Sequence, residues 1–293
     1  MTIQTATTGN LDEAQNIIIS KCLYTAEHND PCHQLITSFK LAQGEKQMTV
    51  PKVGSMDAAD LTDGVDLIDS ESIGLYTTDL TAGEVGLKVI LTDKLLRQFN
   101  ESVFAIIGVQ MGDAMSRKRD EDIIALFSGL NGGTPLGIAA CGMSLDNVFG
   151  CCAFAKANKF PRPIYVVHHP NAVARCAKDT TAVGASYFAG IMQGISEQIY
   201  KNFWKMTIDG IALFQDGNIP VVSGQTYGYG AIFSKAAMCV IESLAPKTER
   251  ERDASLRAWE VVIVSDYGCF ELDEGYGAPM LYEIGALSTT GTS

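Results

Sequence analysis

The sequence predicts an α+β fold of segmented layout, and three observations predict it. A long extended stretch over residues 43 to 91 is acidic and too polar to form a core of its own. One apolar stripe at helical spacing follows it. The second half then alternates helix and strand patterns without a regular βαβ period.

Residues 1 to 42 open with a polar, Thr-rich segment and offer a short helical pattern from Leu11 to Leu23, which reads as an arm. Next come Gln47-Met48-Thr49-Val50-Pro51-Lys52-Val53 on one side, and Ser72 to Thr78 with Gly86 to Leu91 on the other. These read as strands of an extended two-stranded arm. Between them, Val53 to Leu87 holds eight acidic residues and no Lys, Arg or His, so most of the chain's net charge of −12 lies there. An isolated hairpin is marginal in water, and a connection this long argues against itself inside one compact domain unless another molecule covers it.

Thr92 is a candidate N-cap, and Asp93 sets a negative charge at the helix start. Apolar residues then recur at Leu95, Phe99, Val103 and Ile106 and onward to Met115, a stripe that faces a sheet. Arg117, Lys118 and Arg119 place positive charge where the macrodipole is negative and read as the end of a rod over 92 to 118, roughly 40 Å long at 1.5 Å per residue. Asp120-Glu121-Asp122 restarts a second helix through Leu130, which Asn131-Gly132-Gly133-Thr134-Pro135 stops.

Ser144 to Lys159 reads as a helix, Pro163 to Val167 as a buried strand, and Asn171 to Lys178 as a helix begun after Pro170. Residues 182 to 195 are ambiguous. Gly210 to Phe214 and Ile219 to Val222 read as short strands, Ala231 to Glu242 as strand or helix, and Arg257 to Leu272 as β-rich. Ser288 to Ser293 is expected to fray.

A chain of 293 residues has ample length for a core, burying about three quarters of its extended surface. Its acidic balance argues against gripping phosphate, because nucleic-acid affinity rests on clustered Lys and Arg; an acidic wall around nucleic acid stays compatible. Eight cysteines follow an N-terminus without a charged and apolar export pattern, so the thiols are expected to be reduced. The most apolar stretch, Leu136 to Ala155, is interrupted by Asp146 and Asn147, so no membrane span is expected.

The order of arm, long extended loop, Thr-capped helix with a basic end, acidic restart and Gly-Gly loop resembles the tailed-phage major capsid proteins of the Hong Kong 97 fold. The phrases Pro163-Ile164-Tyr165-Val166-Val167-His168-His169-Pro170-Asn171-Ala172-Val173-Ala174-Arg175 and Gly275-Tyr276-Gly277-Ala278-Pro279-Met280-Leu281-Tyr282-Glu283-Ile284-Gly285-Ala286 resemble that family's central strand-turn-helix and its closing β segment. The resemblance implies an N-terminal arm (1–42), an extended E-loop (43–91), a spine helix with the start of the peripheral and axial region (92–160), a mainly axial domain (161–245), and return strands of the peripheral domain with a C-terminal tail (246–293). It implies a structural, non-enzymatic subunit that joins copies of itself into hexamers and pentamers of an icosahedral head. Such a head encloses double-stranded DNA without reading its sequence and is assembled in the host cytoplasm. Portal and scaffold proteins, and cement proteins as a further class, are the partners this implies. The arm is too short to hold a large cleaved scaffolding segment, so a separate scaffold is expected. An encapsulin-type nanocompartment shell resembles the same fold and is the alternative.

Asp57, Asp60, Asp63, Asp66 and Asp69 recur every third residue, whereas a calcium loop needs alternate ligands, a central Gly and a terminal Glu. The reading is a solvated acidic loop or one that docks on a neighbour's basic surface, with Arg117, Lys118, Arg119, Arg162 and Arg175 as candidate contacts. Cys22, His28, Cys32 and His33 fit no compact zinc template, so neither a metal nor a cofactor is expected. Cys151-Cys152 with His168-His169 would be the thiol and base of a hydrolase, a distant third reading. An Ala- and Phe-rich helix favours core packing for both cysteines.

Overall fold

The computed structural model describes residues 31–54, 60, 74–93, 102–139, 141–183 and 204–287. The first elements are α1 (Pro31–Leu35), β1 (Thr37–Lys40), β2 (Gln47–Val53), β3 (Leu75–Thr81) and β4 (Gly83–Thr92). The long helix α2 (Ser102–Leu126) follows, then α3 (Leu145–Ala157), β5 (Ile164–His168) and α4 (Pro170–Val183). The remainder is strand: β6 (Trp204–Ile208), β7 (Ile211–Gln215), β8 (Tyr227–Ser234), β9 (Met238–Asp253), β10 (Ala258–Glu271) and β11 (Gly277–Glu283).

A five-stranded sheet has the order β11-β8-β5-β7-β6, and β5 at its centre is buried at every position. Successive side chains of a strand point to opposite faces, so a strand covered on both sides is apolar throughout. Ile164 and Val166 meet Val148, Cys152, Ala155 and Val173 of α3 and α4. Tyr165 and Val167 meet Leu35, Ile123, Phe127 and Leu130 on the other face. A four-stranded sheet, β1-β9-β10-β4, is built on the long β9–β10 hairpin. Helix α2 joins the two sheets: Met111 and Met115 pack on Leu91, Val261 and Ile263, while Ile123 and Phe127, further along the same rod, pack on the five-stranded sheet.

The expected break in this helix does not exist. Arg117 to Asp122 lies inside α2, which runs unbroken to Leu126 instead of ending at 118 and restarting at Asp120. Charges that read locally as a stop and a start are matched by distant strands. Arg119 donates to Glu242 at 3.1 Å, the Tyr267 hydroxyl donates to Asp122 at 2.9 Å, and Asp120 is fully buried. Thr92 ends β4, paired with Ala258, and helical backbone begins directly after it at Asp93, which takes a two-pronged contact from Arg252 at 2.6 and 3.0 Å. The stripe residues Leu95 and Phe99 lie outside the described residues, and Val103 and Ile106 lie in the first turns of α2, where only the backbone is described.

Other boundaries hold or shift for equally local reasons. Ser144 caps α3 by accepting from the Asn147 amide at 3.2 Å. Ile219 to Val222 forms no strand; Ile219 is buried, and the Val222 amide closes a turn onto Tyr227 at 3.0 Å. The ambiguous run Ala231 to Glu242 is two strands, the end of β8 and the start of β9, separated by a turn at Lys235 to Ala237. Residues 86 to 91 belong to the four-stranded sheet through β4, so the arm itself is β2 with β3. The Leu11 to Leu23 pattern, most of residues 182 to 195 and the tail from Ser288 lie outside the described residues.

Candidate contact surfaces and buried polar clusters

The arm pairs Gln47 with Thr81 at its root and Val53 with Leu75 at its far end. At the root Met48, Val50 and Leu80 pack on Leu41, Cys239, Ile241, Phe270 and Leu272, and further out Lys52, opposite Tyr76, reaches Asp273 at 2.6 Å. The chain therefore supplies part of the covering surface that the sequence assigned wholly to another molecule. The far end is different. Val53, Leu75 and Tyr76, at the outer limit of the described hairpin, are 55, 62 and 68 % exposed, an apolar cluster without cover among the described residues. Asp60 is exposed beyond it, while Asp57, Asp63, Asp66 and Asp69 lie outside the described residues.

The basic candidates fall into two groups. Arg117 and Arg162 are exposed, and so is Lys118, which pairs along its own helix with Asp122. Arg119 and Arg175 are turned inward. Arg119 holds Glu242, and Arg175 holds the Glu283 carboxylate and reaches the Glu283 and Gly285 carbonyls at 3.3 Å. Their charge is matched within the chain, where they fasten α2 to β9 and α4 to the end of β11 and the segment after it.

Sequence spacing grouped Cys32 with His33, Cys22 and His28, but the fold brings it to Asp120 and Asp216, with ligand atoms within 4.8 Å of one another. The Cys32 thiol donates to Asp216 at 3.4 Å, and the Cys32 amide to Asp120 at 3.4 Å. Asn218 bonds both acids, donating from its side chain to Asp120 at 2.8 Å and from its backbone to Asp216 at 2.9 Å. The donor set is one thiol and two carboxylates, each already hydrogen-bonded, so the cluster serves as a polar staple between α1, α2 and the end of β7. Residues 88 and 96 positions apart meet here, and no short-range signal could have found them.

The thiol and histidine pairs do not form a nucleophile and base. Cys151 Sγ lies 3.6 Å from the Tyr282 hydroxyl, whose ring packs at 5.8 Å from that of His168. Tyr282 thus takes the place a nucleophile–base contact would need. His168 faces Met280 O at 3.3 Å through Nε2, and its Nδ1 accepts the His169 amide at 2.9 Å, which fixes the neutral tautomer with Nε2 as donor. Burial raises the Cys151 thiol and pushes Cys152 up to about 12, while burial lowers His168 to about 4. A catalytic thiol requires the opposite, a stabilised thiolate beside a protonated imidazole.

A cleft of about 580 Å³ opens between α2 and the 218–222 loop, lined among others by Glu121, Ile124, Ser128, Pro220 and Tyr229. Its one acid faces no partner base among those residues. No described helix is long and apolar enough to cross a membrane.

No protein-family model and no curated protein matches the sequence. Solved structures do match in fold. The capsid of cyanophage P-SCSP1u aligns at a TM-score of 0.59 and 15 % identity, over 86 % of this chain and 87 % of that one. The head structure of Helicobacter pylori bacteriophage KHP40 aligns at 0.65 and 8 % identity, over 88 and 91 %. The holo-SrpI encapsulin complex from Synechococcus elongatus aligns at 0.60 and 11 % identity, over 88 and 89 %. The chain thus has the fold of phage capsid and encapsulin shell proteins along nearly its whole length.

Proposed function

We propose that this chain is the major capsid subunit of a tailed phage, assembling with its own copies into hexamers and pentamers of an icosahedral head that encloses double-stranded DNA. The observation that carries this reading is the arm: a hairpin whose inner residues pack on the chain's own sheet while Val53, Leu75 and Tyr76 further out are exposed. A subunit that stands alone gains nothing from such an exposed apolar cluster. One that tiles a shell covers it with a neighbour, and obligate assemblies bury several thousand Å² per contact on the order of 2,000–5,000 Å².

In this reading the arm is the E-loop, α2 the spine helix, the four-stranded sheet the peripheral domain and the five-stranded sheet the axial domain. The acidic stretch with Asp57, Asp60, Asp63, Asp66 and Asp69 sets register on a neighbour through exposed cations, for which Arg117, Lys118 and Arg162 are the accessible candidates. Exposed pairs contribute only about 0.2–1 kcal/mol each, so they select geometry more than they add strength. Portal and scaffold proteins would complete assembly in the host cytoplasm.

The encapsulin likeness supports a second reading, an empty or enzyme-filled shell, because its TM-score lies among those of the phage heads. Electron microscopy of the purified protein, alone and with the products of neighbouring reading frames, tests both. Closed shells, hexamers or pentamers are expected. Nuclease-protected double-stranded DNA in shells from infected cells separates a phage head from a nanocompartment. A monodisperse monomer under both conditions overturns the shell reading.

A further inference from the structure

The four-stranded sheet ends in β4, a ten-residue edge with no strand beside it among the described residues. The other edges of the two large sheets are short or covered. β1 and β6 have four and five residues, and β11 is closed by Leu136, whose amide donates to Pro279 O at 2.7 Å and whose carbonyl accepts from Leu281 at 2.9 Å. A long open edge is a template for another strand unless something blunts it.

The direction of its hydrogen bonds is fixed. The β4–β10 ladder continues past the strand through the Asp93 amide to Arg257 O at 3.1 Å, in step with the pairing of Thr92 and Ala258. Peptide groups alternate along a strand, so odd-numbered residues turn their N–H and C=O toward β10. Glu84, Gly86, Lys88 and Ile90 turn theirs to the open edge.

The charges on that edge are unbalanced. Glu84 stands directly across from Asp266, two acids in register, and Asp266 Oδ1 is buried without a hydrogen-bond partner. Like charges opposite one another destabilise a sheet. Four residues along β4, Lys88 is 48 % exposed and pairs with Glu260 on the same face. The edge therefore carries an uncompensated acidic pair at one end and an accessible cation at the other.

We propose that β4 pairs antiparallel with β4 of a second copy about a two-fold axis through Gly86, joining two four-stranded sheets into one. This register sets Gly86 against Gly86 of the partner subunit and Glu84 against Lys88 of the partner subunit, twice by symmetry. Each pair exchanges both backbone bonds, because all these residues face the open edge. The partner's Lys88 then supplies the cation that Glu84 and Asp266 lack. Neighbouring registers fail on charge: an axis at Lys88 opposes two cations, and an axis at Leu87 sets Glu84 against Ile90.

The inference deepens the shell reading by naming one contact between copies, and its test separates the two. Opposed Cα atoms in such a pair stand about 5.5 Å apart, within disulfide reach. The full-length variants Glu84→Cys and Lys88→Cys are oxidised separately and as a mixture, with the unsubstituted protein as reference. A mixed E84C–K88C dimer, absent from either variant alone, is the expected result. Should either variant fail to fold, Ala82→Cys mixed with Ile90→Cys reads the same register. No mixed cross-link between folded variants, or cross-links of each variant to itself, overturns the pairing. Shells that form without the cross-link refute the contact but leave the capsid reading standing; a cross-linked dimer that builds no shell does the reverse.

Discussion

Arg119 of α2 donates to Glu242 of β9 at 3.1 Å, with side chains only 14 and 20 % exposed, so the long helix is pinned to the strand shared by one large core and the small cluster at the arm root. His33 Nε2 stands 3.4 Å from the same carboxylate. The neighbouring His33 first, and then the positive charges of Arg119 and Lys40, hold Glu242 below the usual carboxylate range against the opposing effect of burial.

Arg119→Met should cost about 2 kcal/mol, because it leaves a half-buried carboxylate short of a partner. The Arg119→Met/Glu242→Gln double variant should lose less than the two single variants summed. Chemical denaturation of the four proteins measures the coupling, and strict additivity would mean the pair holds nothing together.

Stability of the folded chain should fall between pH 6.5 and pH 4 through His168. Burial keeps this imidazole neutral in the fold, with a pKa lowered to about 4, whereas an unfolded histidine takes a proton near 6.5. The unfolded chain therefore binds more protons in this window. Stability is fully present above 6.5 and is lost as pH falls toward 4, by on the order of 3 kcal/mol. His169 is lowered in the same direction, by burial. Thermal melts of His168→Gln across this range should show a shallower slope than the unsubstituted protein; equal slopes would remove His168 as the cause.

Gly268→Ala should loosen the arm at its root. A β-carbon there would lie 2.2 Å from Thr81 O and 2.7 Å from the Phe270 ring, so the backbone of β3 must move away from β10. Overpacking of this kind costs about 1–3 kcal/mol. Limited proteolysis should cut within residues 47–81 several times faster than in the parent, and an unchanged cleavage rate would show that the root yields without consequence.

Cys151 and Cys152 should resist alkylation at pH 8 in the folded protein, since burial raises both thiols and they are 4 and 0 % exposed. Exposed Cys141 should react at once. Mass spectrometry after iodoacetamide treatment reads each site. Rapid labelling of Cys151 in native protein would reopen the hydrolase reading.

Much of the fold was legible because its signals are short-ranged. The strand over Gln47 to Val53, the Ser144 cap, the buried strand before His168 and the β-rich run from 257 to 272 follow from alternation, turn residues and capping within a few positions. The candidate contacts were legible only as residue types. Arg119 and Arg175 read as surface cations, yet each is held by a carboxylate more than a hundred positions away.

The sequence by itself determined the order of extended hairpin, long helix and mixed second half, since side-chain periodicity and backbone preference act locally. Tertiary structure alone decided that α2 continues through Arg117 to Asp122. It alone gathered Cys32, Asp120, Asp216 and Asn218 into one cluster, placed Tyr282 between a thiol and an imidazole, and left β4 at an open edge with Glu84 facing Asp266. In each case the deciding energy is the pairing of a buried or opposed polar group with a partner far along the chain, and local sequence carries no record of that partner.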